Sequence, residues 1–220
     1  MVKLLLAGTG LIGHRHMQHI LEHPDLELVG IIDPLITDEK IEGVKTYSSL
    51  SDVNKHADGI ILATPTETHA DLTIQSLEMG LHVLVEKPVA ASLLEADKMI
   101  SASEKTGLSV LVGHHRRHHP LVNETIKILN SGKIGRPVAA SLMWLMRKQD
   151  EYFDVDWRKG IDGGPVKQNL IHDVDTLRAF FGEIITVVGS GTNIVRNAKR
   201  HENGGVVSVS YTHLTLPTKA

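Results

Sequence analysis

The chain has 220 residues, 41% of them hydrophobic and 22% charged, with a formal net charge of -3, 14 histidines and no cysteine. This is the balance of a globular chain able to bury a core; it offers no basic field for nucleic acid and no apolar run of the ~20 residues that span a bilayer. The lack of cysteine excludes disulfides, thiolate metal sites and cysteine nucleophiles, and points to a cytoplasmic setting.

The first half alternates short β-branched runs with amphipathic stretches. In order these are "VKLLLA", a helix over 11–22, "LELVGIID", "DGIILAT", a helix over 67–79, "LHVLVE", a helix over 92–105 and "LSVLVG". "MVKLLLAGTG" reads as a strand running into a Gly-rich turn rather than a signal peptide, because it has no small-residue cleavage site. Strand alternating with helix predicts a doubly wound parallel sheet. Gly80 and Gly107 stand where helices stop, and Thr66 and Ser92 where N-caps belong.

After "VGHHRRHHP" the rhythm changes. A helix over 121–130, a strand in "RPVAASLMWLMRK", a helix over 166–181 and strands in "EIITVVGSGT" and "GGVVSVSY" predict a second domain. The junction is placed at 118/119, giving a first, doubly wound domain over 1–118 and a second, incomplete α/β domain over 119–220.

"AGTGLIG" contains Gly8, Thr9, Gly10, Leu11, Ile12 and Gly13, a G-x-G-x-x-G that leaves a strand and opens a helix. Gly8 permits the tight turn, Gly10 lets the backbone approach a pyrophosphate, and Gly13 lets helix and strand pack closely. The helix N-terminus would then receive the phosphate charge. Asp33 lies 20 residues beyond Gly13, at the end of "LVGIID", where a carboxylate accepts hydrogen bonds from a ribose diol. A carboxylate rather than an arginine there favours NAD over NADP. Open α/β sheets bind ligands beyond the carboxyl ends of their strands, so Thr64, Pro65, His69, Glu86 and Lys87 are expected on the nicotinamide side.

These stretches, together with "ATPTETHADL", "VLVEKPVA", "VGHHRRHHPLV", "SGKIGRPV", "WRKGIDGGPV" and "NLIHDVDTLRAFFGE", resemble the Gfo/Idh/MocA oxidoreductases. The resemblance implies a Rossmann domain followed by an α/β domain with an open, mostly antiparallel sheet. It implies NAD(P)-dependent oxidation of a sugar, cyclitol or related polyol, and a full-length protein that forms a homo-oligomer. Lys87 of E-K-P and His172 of the later helix carry over as catalytic and substrate-binding residues. Trp157 and Arg158 match a pair that lies near cofactor or substrate.

Two departures stand out. The family motif is Gly-Gly-x-x-x-Asp-x-x-x-His, and this chain has Gln168 in place of the aspartate before His172. Family members are also longer. The closing "SVSYTHLTLPTKA" does not resemble the family, so residues from about 210 onward are expected to be foreign to a truncated gene.

Oxidising an alcohol requires a hydride to leave carbon while a base takes the hydroxyl proton, work suited to an imidazole. Helical spacing lines up Gln168, His172 and Asp175, with Leu170, Ile171, Val174, Leu177 and Phe181 as the apolar stripe. On this reading His172 points away from the core toward a cleft, Gln168 and Asn169 contact substrate hydroxyls, and Lys87 stabilises the developing alkoxide. Either Asp175, one turn later, supplies the missing carboxylate to His172, or His172 works without one. The histidine clusters show no metal-ligand spacing, so no metal is expected. Arg116 and Arg117 would hold a polar substrate or a helix entry. The rival to a polyol dehydrogenase is a catalytically inactive dinucleotide-binding fragment.

Overall fold

A computed structural model describes residues 1–54, 56–142, 149, 151, 154, 166–192 and 204–210. The chain divides into two compact units, Met1–Gly113 and His114–Ala220, so the break falls ahead of the junction expected at 118/119.

In the first unit, strands β1 (Val2–Ala7), β2 (Leu26–Ile32), β3 (Lys40–Ile41), β4 (Val44–Tyr47), β5 (Gly59–Leu62), β6 (His82–Val85) and β7 (Val110–Val112) form one sheet in the order β3-β4-β2-β1-β5-β6-β7. All neighbours are parallel except β3 and β4, a short antiparallel hairpin at the edge. The hairpin was not expected from the sequence. The order reverses at β1, so the connections leaving the paired strands β1 and β5 run in opposite directions, and the crevice in which doubly wound folds bind ligands lies beyond their carboxyl ends.

Helices α1 (Leu11–Glu22), α2 (His69–Glu78) and α3 (Leu93–Thr106) cover the sheet. Strand side chains alternate between faces, and the core follows that period. Leu5, Ile32, Ile60, Leu62, Val83 and Val85 lie in one cluster with Leu77 of α2 and Met99 of α3. Leu6, Leu28, Ile31 and Ile61 lie in a second with Met17 and Ile20 of α1. Each fully buried leucine or isoleucine contributes about 1.5–3 kcal/mol. Ser92 caps α3, its hydroxyl accepting the Glu95 N–H at 3.3 Å, and Gly107 ends it at φ +70°. Thr66 is not a cap; it opens a short 3-10 turn over Thr66–Thr68 that leads into α2.

The second unit contains α4 (Pro120–Asn130), α5 (Ile171–Phe181) and an antiparallel pair, β8 (Thr186–Thr192) with β9 (Gly204–Ser210). A 3-10 turn over His115–His118 precedes α4, and a π-helical turn over Val166–Leu170 runs into α5. Residues 136–142 form no regular structure where a strand was expected, and the rest of that stretch, 143–148, lies outside the described residues. No helix among the described residues is long and apolar enough to cross a membrane.

Candidate active site

The glycine loop joins β1 to α1. Gly8 takes φ +90°, and a Cβ there would stand 2.5 Å from the Ala63 carbonyl oxygen. A Cβ on Gly13 would stand 2.0 Å from the Gly8 carbonyl oxygen, so no side chain fits where α1 crosses β1. Gly10 differs: a Cβ there meets nothing within 4 Å. It is the N-cap of α1, makes no side-chain cap, and the first turn carries no acidic residue. The helix thus presents its positive end and uncapped N–H groups beside an open space, an arrangement suited to an anion. Leu11 and Ile12, 69% and 38% exposed, flank that opening.

Asp33, directly after β2, is fastened to this loop. Its Oδ2 accepts the Thr9 N–H at 3.0 Å and the Thr9 hydroxyl at 2.6 Å, and Oδ1 accepts the Leu35 N–H at 3.0 Å. Burial pushes the carboxyl up, but the Thr9 and Leu35 hydrogen bonds outweigh it and hold Asp33 below the usual carboxylate range. The carboxylate is ionised and fixed, with acceptor capacity left for a ribose diol. These residues fit a dinucleotide: an open helix end for the pyrophosphate and a placed anion for the ribose.

The loops after β5 and β6 carry the other expected residues. His69 is 1% exposed, and its ring nitrogens lie 3.0 Å from the Thr64 carbonyl oxygen and 2.8 Å from that of Pro88. It ties the two loops together from beneath, whereas the sequence suggested a side chain facing the cofactor. The Thr68 hydroxyl lies 2.8 Å from the Pro65 carbonyl oxygen, which can only accept, and 2.7 Å from the Thr64 hydroxyl. Both contacts stiffen the Thr64–Pro65 turn.

Glu86 and Lys87 are half-buried, and the Lys87–Pro88 peptide is cis. Glu86 Oε1 lies 2.9 Å from His16 Nε2, and Oε2 accepts the Lys87 N–H at 3.2 Å. Burial raises the Glu86 pKa, yet the His16 hydrogen bond and charge, with smaller help from Lys87, leave it below the ordinary value. His16 was missed as a partner for E-K-P. Its signal is its position on α1, three residues beyond Gly13 and so on the helix face that meets the sheet.

In the second unit His172 lies near the start of α5, 5% exposed. Its ring packs edge-on against His115, centroids 4.6 Å apart, and His114 lies at 6.0 Å. The buried residues of α5 are His172, Asp173, Asp175 and Thr176, while Ile171, Val174, Leu177 and Phe181 are only half-buried. The expected orientation is therefore reversed: the polar face is the covered one. Arginines make this possible. Arg116 Nη1 donates to Asp173 Oδ1 at 2.6 Å, and Arg117 grips Asp175 with Nε to Oδ2 at 3.0 Å and Nη2 to Oδ1 at 2.5 Å. Burial raises the Asp175 pKa, but the hydrogen bond from Arg117 and nearby positive charge hold it below the usual range. Asp175, the candidate carboxylate for His172, thus has both oxygens engaged by Arg117. Gln168 and Asn169 lie half-buried in the π-helical turn. Trp157 and Arg158, like Gly163 and Gly164, lie outside the described residues. Among the described residues no group of three or more His, Asp or Glu side chains could hold a metal ion.

Comparison with known proteins bears on both units. The family model described as "Oxidoreductase family, NAD-binding Rossmann fold" matches residues 2–114, and the "GFO/IDH/MocA C-terminal domain" model matches residues 122–218. The scyllo-inositol 2-dehydrogenase (NAD(+)) of Bacillus subtilis is 29% identical over 215 residues, covering 93% of this chain and 61% of that protein. The rhizopine catabolism protein MocA of Rhizobium meliloti is 26% identical over 187 residues, covering 82% and 57%. The crystal structure of the WlbA dehydrogenase from Bordetella pertussis, in complex with NADH and UDP-GlcNAcA, superposes with a TM-score of 0.84 at 28% identity, covering 96% of this chain and 64% of that one. The chain spans a little over half the length of the curated relatives it matches. With the two family models matched in tandem along it, the chain belongs to the Gfo/Idh/MocA oxidoreductase family, and its first unit is that family's NAD-binding Rossmann domain.

Proposed function

We propose that this chain is the NAD-dependent dehydrogenase of a sugar, cyclitol or related polyol, acting in the cytoplasm, with the first unit holding the dinucleotide and the second the substrate. In the full-length protein the second unit also serves self-association. The observation that carries the reading is the Gly8-Gly10-Gly13 loop with its open α1 N-terminus and fixed, ionised Asp33. Gly10, Leu11 and Ile12 hold the pyrophosphate, and Asp33, anchored by Thr9, holds the ribose diol and repels a 2′-phosphate. The loops of Thr64, Pro65, Glu86 and Lys87 serve the nicotinamide side, with His69 positioning them.

NAD, when bound, supplies the hydride acceptor. His172 takes the substrate hydroxyl proton as the C–H bond gives up its hydride, and the alcohol carbon becomes a carbonyl. The half-buried Lys87 ammonium stabilises the developing alkoxide where its charge is poorly screened by water. Gln168 and Asn169 orient neighbouring hydroxyls. The relatives' inositol substrates support a cyclitol as the first compound to try.

A second reading, a catalytically silent dinucleotide-binding fragment, is favoured by the bare apolar surface of β8, where Val187 and Val188 are 58% and 66% exposed. Titration with NAD followed by thermal melting, then assay of NADH production across a panel of inositols and sugars, separates the two. The dehydrogenase reading expects a raised Tm and NADH formation that His172→Ala abolishes and Lys87→Met lowers steeply, with NAD affinity retained in the His172 variant. A raised Tm without turnover on any polyol favours the silent fragment, and turnover unchanged in His172→Ala removes that residue from the mechanism.

A further inference from the structure

The turn over His115–His118 and the first turn of α5 meet in a ladder of three successive contacts. His115 packs on His172, Arg116 pairs with Asp173, and Arg117 pairs with Asp175. The third rung is the most directional: besides its two bonds to the carboxylate, Arg117 Nη2 donates to the Asp175 carbonyl oxygen at 3.3 Å. One guanidinium therefore grips both the side chain and the backbone of a residue three positions after His172. Asp175 is 8% exposed at its side chain and Asp173 11%, while the two arginines keep contact with water.

We infer that Arg116 and Arg117 are positioning residues for His172, their paired carboxylates fixing the rotation and register of α5 so that the imidazole is held against His115. This rests on the proposed role of His172 as the base. Two physical points support it. A buried ion pair seldom stabilises more than apolar residues of the same volume, and its best-attested use is to specify one arrangement among several. A planar guanidinium matched to a carboxylate by two parallel bonds also sets an angle, which a lysine ammonium does not. The ladder has one register: sliding α5 by one residue would break both ion pairs and part the two rings together. Neither arginine needs to touch substrate for this, and each acts through the helix.

The test is carried out on the full chain with Arg117→Lys, Arg117→Met and the double replacement Arg117→Met with Asp175→Leu. The double variant exchanges the ion pair for apolar bulk, so the fold is kept while the directional bonds are lost. The His172 ring resonance is assigned by its disappearance in His172→Gln, and melting temperature, the KM for NAD and kcat are measured in parallel. The inference expects a parental Tm and KM for NAD in the double variant, a displaced His172 resonance and a kcat lowered on the order of 10²-fold, as misplacement of a reacting group by about 1 Å produces. Arg117→Lys should fall between. A parental resonance and kcat in the double variant would overturn the inference, and so would a kcat that falls only in proportion to lost Tm across the series. If the parent turns over no polyol, the proposed function fails, while the ring resonance still decides whether the arginines position His172.

Discussion

Gly10→Ala and Gly13→Ala should separate what the glycine loop does for the ligand from what it does for the fold. At Gly13 the added Cβ lies 2.0 Å from the Gly8 carbonyl oxygen and 2.8 Å from its carbon, both backbone atoms that no rotamer change can move. Relief requires α1 to shift by about 1 Å, a strain of about 1–3 kcal/mol or more by analogy with overpacked cores. At about 4–8 °C per kcal/mol for a unit of roughly this size, the expected loss is on the order of 5–20 °C in Tm. At Gly10 the Cβ meets nothing within 4 Å and the backbone is extended at φ -64°, ψ -172°, which alanine adopts. Reduced unfolded-state entropy stabilises the alanine variant by about 0.4–1 kcal/mol, and the poorer N-cap costs a similar amount, so Tm should barely change. The methyl nevertheless stands where a pyrophosphate would approach the backbone, and the affinity for NAD should fall about tenfold or more, ~1.4 kcal/mol. Thermal melting of the free variants, with NAD titration by calorimetry, reads both quantities. A Gly10→Ala protein that melts as low as Gly13→Ala, or that binds NAD like the parent, would refute the assignment of Gly10 to ligand approach.

Two further outcomes follow from the loops around the same crevice. His69→Phe removes the ring N–H from a buried bridge and leaves unsatisfied the carbonyl it donates to, that of Thr64 or Pro88 according to the tautomer, at about 1–3 kcal/mol. The melting temperature should drop, with His69→Gln, which keeps a donor, recovering part of the loss. Glu86 has a folded pKa below its ordinary 4.5, so its contribution to stability is present above that value and fades as the pH falls through the lower, folded value. Across acid melts Glu86→Gln should therefore lose Tm less steeply below about pH 4.5 than the parent, and parallel slopes would show that the His16 contact is not stabilising the carboxylate.

The Rossmann half was legible because its signals are local. Period-two runs such as Leu5-Leu6 and Ile60-Ile61 supply one residue to each face of the sheet, and the glycine spacing is set by close contacts within a few residues of chain. The edge hairpin β3-β4 gave no such signal, since two residues of strand are too short for any period to appear. His16 and His69 were under-read for a related reason. Each acts on a loop far along the chain, His16 on Glu86 and His69 on Pro88, and local position, such as that of His16 on the inner face of α1, says that a histidine is turned inward but not which distant group it meets.

α5 shows where hydrophobic periodicity misleads. Its apolar stripe of Ile171, Val174, Leu177 and Phe181 is regular, and burying that stripe is the default for an amphipathic helix. Yet the covered residues are His172, Asp173, Asp175 and Thr176. Burying two carboxylates is prohibitive unless each is paired and hydrogen-bonded, so the helix can take this orientation only because Arg116 and Arg117 reach it from a turn more than fifty residues earlier. The adjacent arginines and the D-x-D of "HDVD" are each unremarkable alone, since charged pairs usually face water. Their meaning is relational: each arginine of the turn has its own carboxylate on α5, Arg116 with Asp173 and Arg117 with Asp175. The same matching answers the question of the missing carboxylate before His172. The nearby acid at Asp175 is committed to Arg117, so the charge next to the imidazole is largely neutralised, and what the ion pairs provide to His172 is placement rather than a counter-ion.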